Sequence, residues 1–511
     1  MKLTWVGVLV SSLTACAGAP PLAEHPSSVA AEPKPNLNPE PAQVLAPAAP
    51  IIPPPPAKCD ALRVAVPAAA CPAEPLGGVE SKLAAPVELL AWEACDGFEA
   101  GLLRALVAEL SPMECADVIV EAAAGQGRAL SAELRDVLAG LGIAARLARL
   151  AGDPPRLEPP FDKPRFKDFL TTRLAPWVVA QAKAIDDLSR SGAGLSDYGK
   201  GVVAIQAGLA DLRMVELMRE TSLPDEMAGD RELEDVYFGA LDQSLDPRKQ
   251  RGRDAALVGL RKFHAVGAIA DARLDQAHRL LSLLYNGRRI DGLAGLMLPA
   301  DTAPAAPAGQ RLGSAVPTFY ADKLGSAAQL RERVPTLSHH GLPVVLQQSV
   351  EGPAGEPLSP ALQLSYALGL ARMGQRYFSR ADFERAGKLA EALRRSPKVS
   401  PAAKLLVALG KAFAGAPDDA AKMMISGLGK WQPDVAELDA LAKGRDPVAG
   451  MAAFNAAFLL QLAAPQGSPP AYFADLSARY THAAKLLSGD RKQRAEDLAD
   501  AADDVAKAVK Q

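Results

Sequence analysis

From about Ala85 onward, apolar residues return every three or four positions, the spacing of one face of an α-helix. Leu102, Leu103, Leu106, Val107 and Leu110 predict a helix over Phe98–Leu110. Ser111 and Pro112 then supply an N-cap and a first-turn proline for a new helix. Ala132 to Leu150 predicts two short helices parted by Gly140 and Gly142. A proline-rich break follows over Asp153–Pro164, then long amphipathic segments from Phe166 to Leu298, then a second Ala/Pro-rich break over Pro299–Pro317. From Ser359 to Gln511, helical segments succeed one another with short Gly, Pro and Ser punctuation. In the last, Arg491–Lys510, Leu498, Ala501, Val505 and Ala508 share one face and charges take the others, as in the capping helix of a repeat array. Alternating runs of β-branched and aromatic residues, the signature of strands, are almost absent. The expected fold is all-α, an array of helical hairpins. Its regions are 58–152, 165–299, a linker at 300–317, and 318–511.

Composition sharpens this picture. The 511 residues are 49% hydrophobic but only 5% aromatic, so Ala and Leu carry the packing, which suits close helix–helix contact. The net charge of -3 gives no basic field for nucleic acid. Beyond the N-terminus no apolar run reaches the roughly 18 residues of a membrane-crossing helix.

The N-terminus stands apart from the helical pattern. Lys2 precedes an apolar run from Leu3 to Leu13, and small residues follow, the layout of a secretory signal peptide over 1–15. Leu13-Thr14-Ala15-Cys16 resembles the lipobox of bacterial lipoproteins. That resemblance implies cleavage before Cys16, diacylglycerol on its sulfur and a third acyl chain on the new amine. It also implies a place in the cell envelope held to the membrane by lipid. Ala17 rather than Asp after the cysteine implies, by the same resemblance, the outer membrane, on its periplasmic face or at the cell surface. Residues 16–57 then read as a disordered tether, with thirteen prolines between Pro20 and Pro56. Extended at about 3.1 Å per residue, the tether spans up to about 120 Å.

Four further cysteines, Cys59, Cys71, Cys95 and Cys115, cluster in the first part of this chain and predict two disulfides. A zinc site is disfavoured, because no two of them form a Cys-x-x-Cys pair. A helix between Cys95 and Cys115 is about 20 Å long, beyond the roughly 7 Å that disulfide Cα atoms tolerate. Cys59 and Cys71 are therefore each expected to reach forward to one of the other two.

In the C-terminal region Leu370, Met373, Gly374 and Tyr377 are followed by Ala386, and thirty-six residues on from the first four come Leu406, Leu409, Gly410 and Phe413. This resembles the tetratricopeptide repeat. Pro397 and Pro433 fall near the expected repeat ends, while Lys422 occupies a position that takes a small residue, beside Ala421. The resemblance implies that Gly374 and Gly410 admit a close second helix, that Ala386 receives it, and that Gln375, Lys404 and Lys411 face a partner-binding groove.

Motifs for chemistry are incomplete. Gly194–Gly201 has the glycines and the lysine of a phosphate-binding loop but no Ser or Thr after Lys200, and a polar segment precedes it, so it reads as a helix–helix turn. His264, Asp271, Asp275 and His278 would share one stripe of a continuous helix, a metal-binding arrangement. Yet Val266, Ile269, Ala270, Ala277, Leu280 and Leu284 take the other face, so the four read as a solvated stripe, and Gly267 stands where it can interrupt the helix. His339-His340 sits in a short turn, and Arg288-Arg289 is a local positive spot that reads as the start of a solvated helix after Gly287, with an acidic partner or a phosphate as the alternative. Gly295–Asp301 faintly resembles a signature of lytic transglycosylases, but no Glu occurs between Glu234 and Glu332 to act as the acid. Gly-x-Ser-x-Gly and His-Glu-x-x-His are absent. The expectation is a lipid-anchored interaction scaffold with an envelope protein or the cell wall as partner, and no catalytic residue, cofactor or metal. A cell-wall-binding or hydrolysing lipoprotein and a small-ligand sensor are the alternatives.

Overall fold

The computed structural model describes residues 52–63, 89–90, 93, 99–122, 129–152, 154–159, 161–221, 223, 227, 229–269, 271–284, 290–300, 319–320, 323, 359–417, 431–465 and 467–509. Among these residues the secondary structure is entirely helical, with fifteen α-helices packed largely in chain order. No described helix is long and apolar enough to cross a membrane.

The first apolar stripe forms α1, Leu102–Leu110. Ser111 does not cap the next helix. Its hydroxyl turns back to donate to the Val107 carbonyl at 2.8 Å, and a single 3-10 turn, Met113–Cys115, leads into α2, Ala116–Ala122. The expected pair of helices between Ala132 and Leu150 is one continuous helix, α3, Ala132–Arg149, capped by the Ser131 hydroxyl. A mid-helix glycine costs about 1 kcal/mol against alanine, which is why the pattern suggested a break. Here the glycine brings two backbones together: a Cβ on Gly140 would lie 2.8 Å from the Gly199 Cα.

Next come α4, Lys163–Phe169, a π turn, Leu170–Leu174, and α5, Ala175–Ser191. The π turn stands beside Pro176, which has no N–H for the regular ladder. The long pair α6, Asp197–Arg219, and α7, Arg231–Ala265, packs side by side, and Arg248 and Arg251 of α7 reach the fully buried Asp211 of α6 at 3.0 and 2.9 Å. After a turn comes α8, Ala272–Leu284.

The C-terminal array is α9, Pro360–Tyr377; α10, Arg380–Leu393; α11, Ser400–Ala412; α12, Ala436–Ala442; α13, Ala449–Leu462; α14, Pro470–Leu486; and α15, Gly489–Ala508. Each packs on the next. Gly374 of α9 receives the Phe383 ring of α10, as a helical hairpin requires. Gly410 of α11 instead meets the helix before it, its Cα region lying against Gly387 of α10. Ala386 is buried, and Phe383 stacks on Phe413 with ring centroids 4.1 Å apart.

Two short strips cross between the regions that the composition separates at 300–317. Leu293, Leu296 and Met297 are buried in the core of the C-terminal array. Phe319 and Tyr320 are buried in the core of the N-terminal helices, joined there by Met373 and Tyr377 of α9. The helices also meet directly: Tyr377 donates to the Ala268 carbonyl at 2.6 Å, and Arg376 to the Ile269 carbonyl at 2.9 Å.

The end of the proline-rich segment is seated on the body. Arg149 donates to the Pro53 carbonyl at 2.8 Å and to the Glu114 carbonyl at 2.7 Å, while its guanidinium pairs with both oxygens of buried Asp117 at 2.9 and 2.7 Å. A 3-10 turn, Ala57–Leu62, then places Cys59 against Cys115, and the two form a disulfide with Cα atoms 5.3 Å apart. Cys59 thus reaches forward as expected; Cys71 and Cys95 lie outside the described residues.

Candidate functional site

The array carries its most specific polar contacts where α9 and α13 face the strip around residues 292–298. The strip begins in a 3-10 turn, Ile290–Gly295. Gln375 of α9 donates from Nε2 to the carbonyls of Leu293 and Leu296, at 3.2 and 2.9 Å. Asn455 of α13 donates from Nδ2 to the Met297 carbonyl at 2.8 Å, and its Oδ1 accepts from the Met297 N–H at 2.7 Å. Three peptide groups of the strip are therefore held by two side-chain amides. The apolar side chains Leu293, Leu296 and Met297 insert into the array between them, and the Phe458 ring covers Gly295.

Gln375 was expected to face a groove, and it contacts main chain of the protein itself. Asn455 was missed. Its signal is present in the sequence: it is the one Asn inside Ala449–Leu462, a helix otherwise almost wholly apolar. A buried amide in such a place needs a hydrogen-bonding partner.

Lys404 and Lys411 of α11 point elsewhere. Lys404 pairs with Asp446, before α13, at 3.1 Å, and Lys411 pairs with Glu437 of α12. Gln375 and Lys411 occupy equivalent places thirty-six residues apart, yet engage different elements. Both lysine pairs are partly exposed, and pairs of that kind contribute about 0–1 kcal/mol each.

A second polar cluster lies inside the N-terminal helices. Arg273, in the first turn of α8, binds Asp271 through Nε at 3.1 Å and Nη2 at 2.8 Å, Glu109 of α1 at 2.7 Å, and the Tyr198 hydroxyl of α6 at 2.7 Å. Tyr198 donates to Glu109 at 3.0 Å, and Tyr320 donates to the same oxygen at 3.1 Å. Phe319 stacks on Tyr198 at 4.1 Å. The charged side chains are 6% exposed or less. Burial raises Glu109 above the usual carboxylate range, against the opposing pull of Arg273, and burial raises both tyrosines well above theirs. Burial alone would lower Arg273; the charges of Asp271 and Glu109 outweigh it and hold the guanidinium protonated. Paired buried carboxylates are the raw material of acid–base chemistry. Here their oxygens are bound by groups of the fold, so the cluster acts as an internal cross-link of four chain segments.

The remaining candidates fall as follows. Gly194–Gly201 is the turn into α6 and its first residues. Ser196 N–H donates there to Asp136 at 2.8 Å, and Asp197 pairs with Lys262 at 2.8 Å. His264, Asp271, Asp275 and His278 do not share a helix, because α7 ends at Ala265 and the chain turns at Gly267, where φ is +70°. The turn resets the helical phase. Asp271 and His278 are consequently buried rather than solvated, His264 lies 2.6 Å from Asp382, and Asp275 pairs with Arg376 at 2.7 Å. Among the described residues no group of three or more His, Cys, Asp or Glu side chains is placed to hold a metal ion. Cys16, Arg288, Arg289, His339 and His340 lie outside the described residues or have side chains outside them.

No protein-family model, no curated protein and no solved structure matches this chain.

Proposed function

We propose that this chain is a lipid-anchored cell-envelope protein, held to the membrane through Cys16, that acts as a protein-interaction scaffold through its C-terminal helical array. The observation that carries the reading is the buried Cys59–Cys115 disulfide, whose two cysteines are both 0% exposed. Such bridges persist in oxidising compartments outside the cytosol, the destination that the lipobox-like Leu13–Cys16 encodes. The seated Pro53 supports it too, since a tether docked on the body transmits the position of the anchor to the helices. The buried charged clusters among the described residues hold helices together, as a rigid binding scaffold requires. By the tetratricopeptide resemblance, the partner meets the array where α11 presents Lys404 and Lys411.

Two measurements test this. Metabolic labelling with an alkyne fatty acid should mark the protein in a bacterial host and place it in the membrane fraction. Cys16→Ser should lose the label and release the protein; a wild type that takes no label sinks the anchor. Affinity capture from native envelopes should recover a defined partner with the wild type. The Lys404→Glu, Lys411→Glu double variant should lose it while keeping its helical spectrum, because two partly exposed ion pairs carry little of the stability. Equal capture by both forms would rule out this edge of the array as the binding surface.

A further inference from the structure

We infer that the strip Leu293–Met297 is a built-in occupant of a peptide-binding groove between α9 and α13, and that the groove accepts from a partner an uncharged segment of the form Leu-x-Gly-Leu-Met that takes up the same turn. The inference rests on the scaffold reading and adds to its Lys404–Lys411 edge a second contact, through which the same partner inserts a segment.

The strip is read mainly through its backbone. Asn455 takes both the N–H and the C=O of Met297, and Gln375 takes the carbonyls of Leu293 and Leu296. Main-chain hydrogen bonds of this kind supply affinity without regard to the side chains, and pockets supply the selectivity. The pockets are specific. Leu293, Leu296 and Met297 are 0%, 4% and 6% exposed, so all three positions demand apolar groups. A Cβ on Gly295 would run into the Phe458 ring, so the third position demands glycine. At Gly292 an added Cβ would lie 3.6 Å from Leu462, an ordinary contact, so the preceding position is permissive.

Asn455 also determines how the groove opens. It is fully buried. If the strip left and nothing replaced it, the amide would lose both partners in an apolar wall, a state proteins avoid. A segment offering the same N–H and C=O removes that penalty. The groove therefore favours exchange of one strip for another over standing empty. The resident strip belongs to the same chain and competes at a high effective concentration, which keeps the groove closed to weak ligands.

The test uses the full-length chain and a labelled synthetic peptide of residues 290–299, Ile-Asp-Gly-Leu-Ala-Gly-Leu-Met-Leu-Pro. In a Leu296→Ala, Met297→Ala variant the resident strip is weakened, and the peptide should bind saturably and at least about tenfold tighter than to the wild type. Adding Asn455→Ala, or using a peptide with Gly295→Ala, should each reduce binding at least about tenfold. No saturable binding to the folded variant, or equal binding of the Gly295→Ala peptide, overturns the inference. Hydrogen exchange on the wild type decides independently of that variant. The Met297 amide should exchange faster than the Leu409 amide of α11, and faster still with excess peptide. Should the two amides exchange together and ignore the peptide, the strip opens only with the whole array and the inference fails. An envelope partner captured by the wild type but not displaced by peptide also overturns the groove, while leaving the scaffold reading in place. Peptide binding without any captured partner supports the groove and counts against that reading.

Discussion

Replacing Arg273 with methionine should destabilise the N-terminal helices by about 3–5 kcal/mol at neutral pH, the range for removing one member of a buried ion pair. The guanidinium is the sole described cation contacting Glu109 and Asp271, and it also donates to the Tyr198 hydroxyl. Methionine fills similar volume, so the loss is electrostatic rather than a packing defect. Two carboxylates would remain buried with fewer donors. The cost should depend on pH with a definite sign. Glu109 is already raised in the folded protein by burial. A carboxyl raised on folding binds its proton more tightly in the native state. Its contribution is whole below the unfolded value of about 4 and is lost as pH rises through the folded value. Removing Arg273 removes the interaction that opposes burial, so Glu109 moves further up. The deficit of Arg273→Met should be largest near pH 8 and should shrink towards pH 4. Chemical denaturation of both proteins at pH 4, 6 and 8 measures this. A deficit that is flat with pH would mean that the cluster is not held by its charges. A Glu109→Gln, Arg273→Met double variant should recover part of the loss, because it removes a charge along with its partner.

The helices of this protein follow from local pattern, and so most of them are legible in the sequence. Ser131 before Ala132 and Ser379 before Arg380 are caps in the structure, their hydroxyls accepting from Leu134 and Asp382. Gly140 misleads, because a glycine that ends a helix and a glycine that lets a neighbour approach look alike until the neighbour, Gly199, is known. The polar clusters are legible only in part, since their members are brought together over long stretches of chain. Tyr320 and Glu109 are 211 residues apart, and Asn455 and Met297 are 158 apart. What the sequence does carry is the oddity of each residue in its place. Asn455 is polar in an apolar helix, and Asp271 breaks what would be a solvated stripe once Gly267 turns the chain. Periodicity cannot report the crossing of the two strips. Phe319-Tyr320 and Leu293–Met297 flank a proline-rich linker whose composition marks a boundary, while their side chains complete each other's side of it.

Removing the disulfide should cost about as much as removing Arg273, but through the unfolded state. Cys59 and Cys115 are 56 residues apart. Closing a loop of that length restricts the unfolded chain by about 4 kcal/mol in the chain-entropy account. A Cys59→Ala, Cys115→Ala double variant should lose roughly that much, and the wild type should lose a similar amount in strong reductant. The bridge also fixes the turn Ala57–Leu62 against α2, directly beyond the point where Arg149 holds Pro53. Without it, the segment is held by the Arg149–carbonyl bond, the Lys58–Glu114 ion pair and the packing of Ile52 and Leu62. The double variant should therefore become sensitive to limited proteolysis near residues 52–63 before the array loses its helical signal. Stability unchanged by the double substitution and by reductant would mean that the bridge does not form. The support it lends to an extracytoplasmic location would then be withdrawn, and Leu13–Cys16 would carry that assignment alone.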